Sequence, residues 1–190
     1  DEKMVIGIGD NFIRKALVES MTGVEYIAVV DSAAQISSRV KIGVGTVIFR
    51  GVTINHSTII GEHSIVNTRA SIDHDCKVGN YTHIGPGAIL CGGINIGDNT
   101  FIGAGAIVLP NIKIGNNVTV GAGSVVRNDI EDGFYKKGKF GIRIENLILV
   151  KDTELKTDNP FLEFETLTFV PIDRRLISMS LLNSYELKWI

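Results

Sequence analysis

From residue 36 a branched aliphatic residue stands at every sixth position, through Ile36, Ile42, Ile48, Ile54, Ile60, Val66, Ile72, Val78, Ile84, Leu90, Ile96, Ile102, Val108, Ile114, Val120 and Val126. With 44% hydrophobic residues in the chain, sixteen unbroken matches arise by chance about once in a hundred thousand sequences, so the period is a true repeat. Four residues after each aliphatic lies a second column of small or apolar residues, among them Thr46, Thr58, Ser64, Ala70, Cys76, Thr82, Ala88, Thr100, Ala106 and Ser124. Glycine follows the aliphatic at 43, 61, 79, 85, 97, 103, 115 and 121, which predicts a tight corner in each hexad, made possible by the missing Cβ. Short β segments with corners between them cannot bury an inward face alone. They must wind into a solenoid whose coils pair as parallel strands. Three hexads make one coil, so residues 18 apart lie one above another, and sixteen hexads supply about five coils.

The phase of the repeat sorts the histidines. His74 follows Ile72 by two places and so points outward, between Asp73 and Asp75; His83 is also outward, and His56 lies one coil below His74. The neighbour on the other side of His74 is Gly92. An imidazole beside a backbone N–H at a corner without a side chain has the parts for acyl transfer: a base for a nucleophile's proton and a donor for an oxyanion. His56 and His63 read as surface polar groups.

Charge and composition narrow the partners. Nineteen basic residues against 21 acidic ones give a formal charge of −2, with no electrostatic pull toward nucleic acid or an anionic membrane. No apolar run reaches membrane-spanning length. Two cysteines, Cys76 and Cys91, form neither a disulfide framework nor a zinc set, which suits a reducing cytoplasm. The expectation is a cytoplasmic protein that binds a small molecule and no metal.

The segments "KIGVGTVI", "TIIGEHSIV", "HIGPGAIL" and "NIGDNTFIGAGAIVLPNIKIGNNVTVGAGSVV" resemble the hexapeptide-repeat acyltransferases, which implies a mainly β fold, a left-handed parallel β-helix. Across residues 36 to 128, around "ASIDHDCKVGNYTHIGPGAILCGG", the resemblance is to the sialic-acid O-acetyltransferase and UDP-4-amino-sugar N-acetyltransferase branch. It implies an acetyl-CoA-dependent enzyme with His74 as general base, oriented by Asp75 where the family usually has glutamate. The oxyanion donor is then Gly92, and acetyl-CoA meets His83, Gly92, Ala104 and Ala122. The family forms homotrimers with sites in the grooves between subunits, and its acceptors are amino sugars, sugar nucleotides or sialic acid.

The ends differ from the repeat. "KMVIGIGDNFIRKALVES" reads as a strand, a glycine turn and a helix, with Phe12, Ile13, Ala16 and Leu17 at helical spacing. It resembles the last part of the truncated Rossmann-like domain (1–30) that holds the sugar nucleotide in this branch, with Gly9 and Asp10 as substrate contacts. The β-helix then occupies 31–130. The tail (131–190) is non-repeat α+β sequence, and "GFYKKGKFGIRIENLILV" and "FLEFETLTFVPIDRRLI" resemble the C-terminal part of Xaa-Pro aminopeptidases. Glu131 and Glu145 fall in register with metal-ligand glutamates there, but the remaining ligands have no counterparts, so peptidase activity is not expected. The alternative to an active transferase is a silent oligomeric scaffold that retains only cofactor binding.

Overall fold

The computed structural model describes residues 3–132, and the backbone of residues 135–136, 140–141, 148–152 and 162–166. The chain divides into two compact units, Asp1–Gly141 and Ile142–Ile190. In the second, Ile148–Asp152 pairs antiparallel with Leu162–Thr166. Glu145 and the α part expected of the tail lie outside the described residues.

The first unit is a parallel solenoid. Seventeen two-residue strands form sheets of six, five and six, and each strand pairs in parallel with those 18 residues before and after it, as Ser71–Ile72 does with Thr53–Ile54 and Ile89–Leu90. The first face carries Gln35–Ile36 through Val125–Val126, the second Lys41–Ile42 through Lys113–Ile114, and the third Val29–Val30 through Thr119–Val120. Both inward columns are buried: Ile48, Ile72, Ile84 and Ile102 in one, Val52, Cys76, Ala88 and Ala106 in the other, all at 0–1% exposure. Inward hydroxyls are satisfied without breaking this core. Thr46, Ser64, Thr82 and Thr100 donate to the carbonyls of Gly61, Gly79, Gly97 and Gly115 at 2.7–3.0 Å.

The repeat is longer than the aliphatic count from Ile36 predicts. It starts one hexad earlier, at Val29–Val30, which pairs with Val47–Ile48. Seventeen strands at three per turn make close to six coils rather than five. It also closes two residues short: Ile130 bridges Ile114, 16 residues away, where the repeat spacing is 18.

The glycine column has a different cause from the one expected. None of those eight glycines has positive φ; the left-handed residue comes two places later, in every hexad from Gly45 to Gly123. Eight of these fourteen positions are not glycine, Ser57, His63, Asp75 and Asn99 among them. A Cβ on Gly79 would instead stand 2.7 Å from the Asp98 nitrogen, and one on Gly103 2.5 Å from the Ala122 nitrogen. Seven of the eight glycines are required by the close passage of the next coil, the exception being Gly121, whose added Cβ would meet only the Ser124 hydroxyl.

The N-terminal segment also inverts its expected packing. A short strand, Lys3–Met4, pairs in parallel with Glu25–Tyr26, and between them runs α1 (Asn11–Ser20), capped by Asp10, whose carboxylate accepts from the Ile13 N–H at 2.9 Å. Its buried residues are Asn11 and Arg14, while Phe12, Ile13 and Leu17 are 51%, 53% and 37% exposed. Polar grip outweighs apolar burial here. Asn11 Nδ2 donates to the carbonyls of Asn99 and Thr100. The Arg14 guanidinium donates to the carbonyls of His63, Ile8 and Tyr81, and to the Asn11 side chain, at 2.6–3.0 Å. Burial pushes Arg14 down to about 10, against the raising fields of Asp10 and Tyr81. His63, expected on the surface, is 4% exposed, stacked on Tyr81 and edge-on to Tyr26.

Candidate active site

Residues 73–75 turn the chain from the first face to the second, between Ser71–Ile72 and Lys77–Val78. The corner is held from within and from below. Thr58 donates its hydroxyl to the Asp73 carbonyl at 2.8 Å, and the Cys76 thiol donates to the Cys91 carbonyl at 3.2 Å. The Asp73 carboxylate accepts from Asn55 Nδ2 at 2.7 Å and from the His74 N–H at 2.8 Å, and these bonds, the Asn55 one foremost, hold it below the usual carboxylate range. Asp75 sits in the left-handed region at φ 58°, with its N–H on the His56 carbonyl.

That backbone places an acid and a base side by side. His74 Nδ1 lies 2.7 Å from Asp75 Oδ2, so Nδ1 carries the proton and Nε2 is left with its lone pair. The shorter acid reaches the ring from the very next residue because its αL conformation turns the side chain back. The Asp75 hydrogen bond raises the His74 pKa, and the field of Asp73 adds to it. Both side chains are about half exposed, at 50% and 58%, so a dissolved acceptor can reach Nε2.

Gly92 stacks directly above. A Cβ there would stand 2.8 Å from His74 Cε1 and Nε2, so only glycine leaves room for the ring. Its N–H has no acceptor among the described residues. Corners differ in this respect, and the equivalent N–H groups of Val44, His56, Ala104 and Ala122 are also uncapped among the described residues. At the edge between the second and third faces, the equivalent N–H groups of Glu62, Asn80, Asp98 and Asn116 are each capped at 2.7–2.8 Å by a side chain one coil up: Asn80, Asp98, Asn116 and Asp132. Above Gly92 that place holds Pro110, which has no side-chain acceptor. An exposed imidazole and an uncapped N–H thus lie together, the arrangement that proton removal and oxyanion stabilisation require.

The other expected site residues lie elsewhere. His83 is on the third face, with both ring nitrogens engaged: Nδ1 donates to the Gly9 carbonyl at 3.0 Å and Nε2 accepts from Asn67 Nδ2 at 3.1 Å. Burial lowers its pKa, the Gly9 carbonyl raises it in part and Arg14 lowers it again. It fixes the glycine turn to the solenoid. Ala104 and Ala122 are exposed at the edge between the third and first faces, across the first face from His74, so one solenoid does not bring them to Gly92. Gly9 and Asp10 line an open cleft of about 400 Å³ with Asn11, Phe12, Asn99, Phe101, Asn117 and Thr119. Asp10 is already engaged as a helix cap there. Asn55, which sequence reasoning passed over, and Asp73, noted there only as a neighbour of His74, tie successive corners together; their signal was the 18-residue spacing itself. Among the described residues no group of three or more His, Cys, Asp or Glu side chains could hold a metal, and no helix is long and apolar enough to cross a membrane.

Comparison with known proteins follows this geometry. The family described as bacterial transferase hexapeptide (six repeats) matches residues 57–92 and 93–128. The chain is similar to the perosamine N-acetyltransferase of Caulobacter crescentus, solved with CoA and GDP-perosamine, at 36% identity and TM-score 0.67, covering 69% of this chain and 63% of that one. The acetyltransferase domain of PglB from Neisseria gonorrhoeae, solved with acetyl coenzyme A, is 33% identical at TM-score 0.66, covering 68% and 64%. WeeI from Acinetobacter baumannii is 30% identical at TM-score 0.67, covering 69% and 65%. The tail is similar to a different family: residues 160–190 match the C-terminal region of peptidase M24, and 63 residues are 51% identical to the probable Xaa-Pro aminopeptidase P of Neosartorya fischeri. The chain spans a tenth of that peptidase's length and just under two thirds of the solved relatives'. Residues 57–128 match the hexapeptide-repeat family, and the solenoid is similar in sequence and fold to a solved amino-sugar acetyltransferase.

Proposed function

We propose that this chain transfers an acetyl group from acetyl-CoA to an amino sugar, and that the corner formed by His74, Asp75 and Gly92 carries the reaction. The observation that supports this most is the pairing of a free Nε2 with an uncapped N–H on adjacent coils. Acetyl-CoA would supply the thioester carbonyl. His74 Nε2 takes the proton of the acceptor amine or hydroxyl as it attacks. Asp75 holds Nδ1–H, fixes the tautomer and stabilises the imidazolium, and the Gly92 N–H donates to the oxygen on which charge develops. The residues present suit the co-substrate: a half-exposed imidazole and the uncapped Gly92 N–H lie together where its thioester carbonyl would be met.

The acceptor is a nucleotide-linked amino sugar in preference to sialic acid, because a solved relative was captured with GDP-perosamine. Its sugar nucleotide meets the cleft at Gly9 and Asp10. The working assembly is a homotrimer of left-handed β-helices. The edge carrying Ala104 and Ala122 of one subunit then faces His74 of the next, which accounts for their separation within one chain, and the outward Ile89 and Val125, 43% and 48% exposed, lie on the intervening face. In domain terms residues 1–30 are the end of a nucleotide-binding domain, 31–130 the catalytic β-helix and 131–190 a peptidase-like appendage, in a cytoplasmic protein.

The test is to incubate the chain with acetyl-CoA and a panel of GDP- and UDP-linked amino sugars and sialic acid, and identify products by mass spectrometry. An acetylated amino sugar supports the reading. Acetyl-CoA binding with no product from any acceptor favours the silent scaffold.

A further inference from the structure

The reading above leaves idle a second imidazole at the same edge. His56 lies one coil below His74, and the two rings stack with centroids 5.4 Å apart and planes 12° from parallel. The corners that carry them are tied by the Asn55–Asp73 bond at 2.7 Å, the Asp75 N–H to His56 carbonyl bond at 3.1 Å, and the Thr58 hydroxyl on the Asp73 carbonyl at 2.8 Å. The corner that carries the lower ring is therefore held in register with the one that carries the upper ring, and His56 Nδ1 itself lies 3.4 Å from the Ser57 hydroxyl.

We propose that His56 is a positioning residue for His74. A half-exposed side chain held by one hydrogen bond exchanges rotamers within nanoseconds. Here three contacts act on different sides of the ring. Asp75 binds Nδ1, His56 supports one face, and Gly92 leaves a slot just wide enough on the Cε1–Nε2 side. Together they keep Nε2 beside the Gly92 N–H before any substrate arrives. A base displaced by about 1 Å loses on the order of a hundredfold in rate, so partial loss of this support has a measurable cost. The consequence for rate rests on the acetyl-transfer reading; the consequence for the ring does not.

The experiment compares His56→Ala, which removes the platform, with His56→Phe, which keeps a flat ring in its place. Position 56 is exposed, and melting curves would confirm that both variants fold. In His56→Ala, 13C relaxation at the His74 Cε1–H is expected to show lost order, and kcat to fall about tenfold with KM for acetyl-CoA within twofold; His56→Phe restores both. Unchanged His74 order in His56→Ala overturns the proposal. A wild-type chain without turnover on any acceptor would defeat the acetyl-transfer reading instead, and the relaxation measurement would still decide the role of His56.

Discussion

At the edge between the second and third faces, the residue after each inward aliphatic is glycine five times in succession: Gly43, Gly61, Gly79, Gly97 and Gly115. At the edge between the first and second faces the same place holds Ser37, Asn55, Asp73, Cys91 and Leu109, and the next residues are Ser38, His56, His74, Gly92 and Pro110. The first edge is largely closed, with four of its corner N–H groups, those of Glu62, Asn80, Asp98 and Asn116, capped from the coil above. The second gives up that regularity and leaves the Gly92 N–H open beside an imidazole. A glycine accordingly means two things in this chain. At the closed edge it lets coils pack, and at the open edge Gly92 lets the His74 ring stand where a side chain would be.

Paired substitutions separate these meanings most sharply. Gly92→Ala is expected to push the His74 ring aside and lower kcat by about ten- to a hundredfold, with little change in melting temperature. Gly97→Ala puts a Cβ 2.7 Å from the Asn116 nitrogen, with a destabilisation of about 1–3 kcal/mol in denaturant unfolding but unchanged turnover per folded molecule. Equal effects of the two on stability would erase the distinction. Pro110→Asp would make the open edge resemble the closed one, since an aspartate 18 residues above caps Asn80 from position 98. A capped Gly92 N–H is then lost to the oxyanion, and kcat falls by roughly tenfold or more while binding of acetyl-CoA changes less.

Asp75→Asn tests the smallest effect, on charge rather than shape. Because Asp75 raises the His74 pKa, the base is protonated to a higher pH than an ordinary imidazole, and turnover rises with pH through that raised value. The amide can no longer favour the imidazolium, so the rising limb of the kcat profile moves to lower pH, with a loss below about tenfold. A limb that stays in place would exclude His74 as the titrating group.

The solenoid was legible because its core repeats in sequence: one aliphatic per hexad leaves no other way to bury them. His74 and Gly92 were legible as neighbours because the same period stacks residues 18 apart, and Asp75 entered through the family resemblance. What the period does not carry was not legible. The left-handed corners are borne by Ser57, His63, Arg69, Asp75, Tyr81, Asn99, Asn111 and Asn117 as well as by glycine, so glycine marks close coils more faithfully than it marks corners. The orientation of α1 is set by Asn11 and Arg14 gripping carbonyls 49 to 89 residues away, and helical spacing of Phe12, Ile13 and Leu17 points to the opposite face. The burial of His63 and the engagement of His83 by Gly9 arise from the same folding-back of the N-terminal segment.

The most direct test of the account is acetyl-CoA turnover, followed by thiol release with a nucleotide-linked amino sugar as acceptor, in the wild-type chain and in His74→Ala. The account predicts that turnover falls by about a hundred- to ten-thousandfold in the variant while its melting curve is unchanged. Turnover at the wild-type rate in His74→Ala would contradict it.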